Sequence, residues 1–201
     1  FNNQVPIAVV QGAKGSGKTC LYRQLIEKGN GNSFCGEINK TRGRNDNGFF
    51  VPVLAPQNIS KLKNVLAECI DKFNIAVPCA MVSYSVYNEN AYKLDINANN
   101  ETDWMSFWEQ LFVNSINKEI FRNLTQLNEE LKKEQKTIVF LIDGLEEILK
   151  TVSSNKNQQK AIEVLCQGVL NTIASKYENI GLIIFLRSDM AQNAITVNYE
   201  Q

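Results

Sequence analysis

The sequence predicts an α/β chain, a three-layer core in which a central, mostly parallel sheet is flanked by helices. Three observations carry that expectation. Short continuous apolar runs at Pro6 to Val10, Thr137 to Ile142 and Gly181 to Leu186 have the pattern of strands buried on both faces. Longer segments between them place apolar residues three and four apart, the spacing of helices. A glycine-rich loop joins the first run to the first of those helices.

The elements follow in order. After Pro6 to Val10 and the loop, Cys20, Leu21, Leu25 and Ile26 fall at helical spacing from Lys18 onward, and Gly29 is placed to end that helix. Residues 30–48 are rich in Asn, Gly and charge without a period, so they read as a surface loop. Phe49 to Leu54 reads as a strand. Ile59, Leu62, Val65, Leu66, Cys69, Ile70 and Phe73 make one face of a second helix, and residues 75–87 read as a further strand or hairpin. Thr102 or Asp103 is expected to cap a long helix with Trp104, Phe107, Trp108, Leu111, Phe112 and Ile116 on its inner face. The helical pattern continues, with a break, through Leu124, Leu127 and Leu131. Thr137 to Ile142 ends in Asp143. Residues 159–177 read as one helix with Ile162, Leu165, Val169 and Ile173 inward, and Gly181 to Leu186 ends in Arg187.

Composition bounds the chemistry. The 201 residues are 44% hydrophobic and 21% charged, which fits a single domain, 1–201, able to bury a core without a disulfide or metal staple. Lys and Arg number 21 and Asp and Glu number 21, so no net field directs the chain to nucleic acid or an acidic membrane. There are 0 histidines, which excludes Ser-His-Asp, Cys-His and His-ligated zinc sites together. The five cysteines, Cys20, Cys35, Cys69, Cys79 and Cys166, contain no CxxC and read as reduced cytoplasmic thiols used as small core residues. No apolar run approaches the roughly 20 residues of a membrane span. N-x-[ST] sequons, among them those at Asn58, Asn100 and Asn123, read as chance in an asparagine-rich chain. The chain opens on Phe1 and stops in a polar stretch, the expectation for a piece of a longer multidomain protein.

The residues Gly12, Ala13, Lys14, Gly15, Ser16, Gly17, Lys18 and Thr19 match G-x-x-x-x-G-K-[ST], between a predicted strand and a predicted helix as that motif requires. Glycines let backbone N–H groups curl around phosphates, and the helix opening at Lys18, Thr19 and Cys20 adds its positive end. Lys18 is then placed for the β and γ phosphates and Thr19 for Mg²⁺. Asp143, closing an apolar strand, is the expected carboxylate for the same Mg²⁺. Glu146 and Glu147 follow within a turn, on the same face as Asp143 if the segment is helical, and either carboxylate is suited to polarising a water.

These residues resemble the P-loop NTPases, in the branch with an additional strand between the two Walker motifs, supplied here by Phe49 to Leu54 or by the run near Met81. Asp143-Gly144-Leu145-Glu146-Glu147 after its strand is similar to the DGLDE of STAND and NACHT-like ATPases. The resemblance implies that Glu147 orients the attacking water, that Glu146 is an outer Mg²⁺ or structural carboxylate, and that Arg187 looks at the γ phosphate. It also implies a lid domain after the sensor strand, of which only some fourteen residues are present here.

Rival readings differ at named positions. Partitioning ATPases of the ParA and MinD type carry a signature lysine where this chain has Ala13, with Lys14 one place late. Regulatory GTPases need a glycine at the position of Glu146 and an [NT]KxD, whereas Asn39-Lys40-Thr41-Arg42 lacks the aspartate. MgATP is therefore the expected ligand, and a switch or motor module that hydrolyses it the expected function. A nucleotide-binding switch without turnover and a small-molecule phosphotransferase are the alternatives. Homo-oligomerisation is compatible with Arg42 or Arg44 reaching a neighbour's nucleotide.

Overall fold

A computed structural model of the chain describes residues 5–28, 48–54, 100–116 and 121–195. The apolar runs form strands β1 (Ile7–Gly12), β2 (Gly48–Leu54), β3 (Thr137–Ile142) and β4 (Ile180–Arg187). All three pairings are parallel, in the order β1-β4-β3-β2. The helices are α1 (Lys18–Lys28), α2 (Glu101–Asn114), α3 (Leu124–Lys133), the single turn α4 (Leu145–Ile148), α5 (Lys156–Glu163), α6 (Leu170–Lys176) and α7 (Ser188–Ala194). A π-helical segment, Val164–Val169, joins α5 to α6. The fold is thus α/β, a parallel sheet flanked by helices.

Side-chain alternation along the strands sorts the apolar residues onto two faces. Ile138, Phe140 and Ile142 of β3 and Leu182, Ile184 and Leu186 of β4 belong to a broad core with Trp104, Trp108, Leu111 and Phe112 of α2. Val139 and Leu141 of β3, with Phe185 of β4, face the other way and pack against Tyr22, Leu25 and Ile26 of α1. A right-handed strand-helix-strand path needs helices on both faces of such a sheet.

Several expectations change. The strand between β1 and β3 in space is β4, not the Phe49 to Leu54 run, which lies beyond β3; the run near Met81 is outside the described residues. β1 is only half-buried rather than covered on both faces, because among the described strands it pairs with β4 alone. Asn100, not Thr102 or Asp103, caps α2, its side chain accepting from the Asp103 N–H at 2.7 Å. Asn123 and Asn155 cap α3 and α5 in the same way, so the asparagines of the sequons at 100 and 123 have a structural task. The helix read over 159–177 begins at Lys156 and widens in the middle into the π turn, which buries Val164 and Cys166 besides the expected Leu165 and Val169. The helix at 59–73, the run at 75–87, Gly29, and Arg42 and Arg44 lie outside the described residues.

Candidate functional site

The loop from Gly12 to Lys18 leaves the C-terminal end of β1 and turns directly into α1. The Ser16 N–H donates to the Ala13 carbonyl at 3.2 Å, closing a turn inside it. Gly15 and Gly17 take φ values of 84° and 90°. A Cβ on either would meet nothing within 4 Å, so the backbone conformation, not lack of room, requires glycine there. Gly12 is needed for the opposite reason: a Cβ on it would collide with the Ser16 hydroxyl. α1 has no acidic residue of its own in its first turn.

The Lys18 ammonium folds back over this loop. It donates to the Gly12 carbonyl at 2.7 Å, the Ala13 carbonyl at 2.9 Å and the Ser16 hydroxyl at 3.4 Å. Lys14 and Cys20 are both exposed. Cys20 is therefore not the core residue expected of it, whereas Cys166 is buried and its thiol is pushed up to about 12 by desolvation. The apolar face of α1 is set by Tyr22, Leu25 and Ile26 with half-buried Leu21 packed against them, so the expected Leu21, Leu25 and Ile26 hold and Tyr22 takes the place of Cys20.

Thr19, in the first turn of α1, and Asp143, just past β3, are brought together across 124 positions of sequence. The Thr19 hydroxyl donates to Asp143 Oδ2 at 2.7 Å, and the Gly144 N–H donates to Oδ1 at 2.9 Å. Asp143 is 2% exposed. Burial raises its carboxyl above the usual range, the bonds from Thr19 and Gly144 work against that, the Glu146 charge adds to it, and Lys18 opposes it. A buried carboxylate so placed gains from a cation at its free lone pairs. Thr19 and Asp143 are both hard oxygen donors, the set Mg²⁺ takes when phosphates supply its other ligands. Among the described residues no three His, Cys, Asp or Glu side chains form a self-sufficient cage, and a phosphate-bridged Mg²⁺ does not need one.

No protein-family model, curated protein or solved structure matches the chain.

The segment after Asp143 is not one helix with it. Gly144 is left-handed, with φ 80°, and the single-turn α4 starts only at Leu145. The shared helical face expected for Asp143, Glu146 and Glu147 is therefore absent, and the turn at Gly144 decides where the two glutamates go. Both are half-buried. The Glu146 charge is felt at Asp143 and at Arg187, so Glu146 lies on the site's side of α4.

Arg187 closes β4 in register with Gly12 of β1, beside the start of the loop. Its guanidinium grips Asp189 side-on, Nε to Oδ1 at 3.0 Å and Nη2 to Oδ2 at 2.7 Å. The pair raises the Arg187 pKa and lowers that of Asp189.

Two residues escaped the sequence reading. Tyr22 is fully buried, edge-on to Phe185 at 5.7 Å, and its hydroxyl donates to the Leu54 carbonyl at 2.9 Å. The Asp143 N–H donates to that same carbonyl at 3.1 Å, so the end of β2 ties α1 to the acidic strand end. Burial, and then the Asp143 charge, push the Tyr22 phenol well above its ordinary value. Its spacing to Leu25 and Ile26 was the available signal. Asp189 had none, because its role depends on how the chain turns after Arg187.

Proposed function

We propose that this chain is a P-loop ATPase domain that binds MgATP at the C-terminal edge of its parallel sheet. The observation that carries the reading is the 2.7 Å bond from Thr19 to Asp143. It joins a complete phosphate-loop motif to the one carboxylate buried among the described residues, at the end of β3, one strand beyond β4, the two protein oxygens a nucleotide-bound Mg²⁺ would use. The position of β4 between β1 and β3 supports the additional-strand branch, and the Asp143 to Glu147 sequence supports likeness to the STAND and NACHT-like group.

Bound Mg²⁺ would neutralise phosphate charge as it develops. The chain's own residues do the remainder. Backbone N–H groups from Gly15 to Thr19 face the phosphates at the head of α1. Lys18 exchanges its carbonyl partners for β and γ phosphate oxygens, remaining fully hydrogen-bonded throughout. Glu147 orients the attacking water, and Glu146, whose charge reaches Asp143, serves as the outer carboxylate. Arg187 meets the γ phosphate from β4. Catalysis is then positioning and charge stabilisation.

Thermal unfolding with nucleotide tests binding, and phosphate release tests turnover. MgATP at 100 times its Kd should stabilise the fold by about 2.7 kcal/mol. MgGTP should do less at equal concentration, since the guanine-reading motif is missing. Equal shifts with both nucleotides, or none with either, would count against the reading. Binding without phosphate release would assign the chain to a non-hydrolysing switch.

A further inference from the structure

We infer that Asp189 limits the preference of this site for ATP over ADP, by competing with the γ phosphate for the side-on edge of Arg187. The inference rests on the nucleotide reading above and adds to it a residue that the loop and acidic motifs do not contain.

Arg187 presents five N–H donors in a fixed plane, and the Nε–Nη2 edge matches any acceptor with two oxygens about as far apart as those of a carboxylate or phosphate. Asp189 occupies that edge with bonds of 3.0 and 2.7 Å. Both oxygens of its carboxylate are engaged, so the same edge cannot hold a phosphate at the same time. Arg187 is anchored opposite Gly12, one strand spacing of about 4.8 Å from the start of the loop to which the nucleotide reading gives the phosphates.

Solvent access decides how strongly Asp189 competes. The Asp189 side chain is 59% exposed and that of Arg187 28%. Exposed pairs of this kind shift an equilibrium by no more than about fivefold. A γ phosphate carries more charge than a carboxylate and would be held by the loop at the same time, so it displaces Asp189. ADP brings no group to that position and leaves the pair intact. Asp189 thus lowers ATP affinity by a modest factor and leaves ADP affinity alone, which narrows the difference that Arg187 creates. Glu146 is the other acidic group whose charge reaches Arg187, but it makes no bond to the fork among the described contacts, so Asp189 is the competing acceptor.

Titration calorimetry with a non-hydrolysable ATP analogue and with ADP, both with Mg²⁺, tests this on the parent, Asp189→Asn, Arg187→Ala and the double variant. Asp189→Asn should bind the ATP analogue about threefold to fivefold more tightly, with ADP unchanged. Arg187→Ala should lose ATP affinity and keep ADP affinity, and in its background Asp189→Asn should have no effect. Weaker ATP binding by Asp189→Asn would mean that Asp189 holds the arginine in place, and overturns the competition. An equal gain for ADP, or a gain that persists without Arg187, would be a general charge effect and overturns it as well, as would no change at all. A parent that binds both nucleotides with equal affinity retires this inference while leaving the nucleotide reading intact. A parent that binds neither retires both. Circular dichroism melts of each variant confirm that the comparison is between folded proteins.

Discussion

The two faces of the sheet are built from alternate residues of the same strands, yet they carry different burdens. On the broad face, Phe140 stacks on Phe112 at 4.8 Å, and Trp108, fully buried, donates its indole N–H to the Ala161 carbonyl at 3.0 Å. Among the described residues, none from Gly12 to Thr19 belongs to that packing. On the other face, α1 covers the strands among the described residues, and its apolar contacts double as site geometry. Tyr22 sits one turn beyond Thr19 and bonds the carbonyl that also anchors Asp143. The contrast teaches that the phosphate loop is coupled to the packing of one face and lies outside that of the other.

The largest effect that would sharpen this contrast is a cavity on the broad face. Trp108→Ala should lower unfolding free energy by about 3–5 kcal/mol in urea titrations. The stabilisation gained from saturating MgATP should remain, because Trp108 and its partners lie outside the phosphate loop at the head of α1. Loss of that ligand response in a variant that is still folded would break the contrast.

Lys18→Ala is the converse. Its native stability should stay near that of the parent, whereas the ligand-induced gain of about 2.7 kcal/mol at 100 times the parent's Kd should vanish. A retained thermal shift with MgATP would contradict the placement of the phosphates.

Two carboxylates of α4 grade the site more finely. Glu147→Gln should reduce single-turnover hydrolysis by about 10²-fold or more with ATP affinity nearly unchanged. Glu146→Gln should be milder and should act on Mg²⁺ dependence, since its charge is felt at Asp143. The reverse ranking would exchange their roles.

The smallest effect concerns Asp143 without ligand, and its sign is informative. Burial holds its folded pKa above the unfolded value, so the folded state keeps its proton to higher pH. That makes the ionised carboxylate a cost to stability, one that appears as pH rises through the folded pKa and disappears below the unfolded one. Asp143→Asn should therefore melt higher than the parent at neutral pH without nucleotide, and the advantage should fade as the pH is brought below the ordinary carboxylate range. Differential scanning calorimetry across that range reads it. In MgATP the order should invert, because the variant lacks the charge that holds Mg²⁺.

Much of this was legible in the chain itself. Thr137–Ile142 formed a strand with the bounds its apolar run indicated, and Gly181 to Leu186 lengthened by one residue at each end. Strands buried on both faces have nowhere to put a polar residue, so sequence and structure must agree there. The loop motif was equally plain, because positive φ at Gly15 and Gly17 and a cation at Lys18 are local demands met by local residue types. The caps were less so: the sequence pointed to Thr102 or Asp103, and only the path of the chain into α2 gives the task to Asn100. What tertiary structure alone decided is the pairing at a distance. Strand order put β4 between β1 and β3, and with it Arg187 beside Gly12. The left-handed turn at Gly144 took Asp143 off the helical face of Glu146 and Glu147. The meeting of Thr19 with Asp143, of Tyr22 with Leu54 and of Arg187 with Asp189 depends on where elements come to rest, and a one-dimensional pattern of hydrophobicity does not encode those distances.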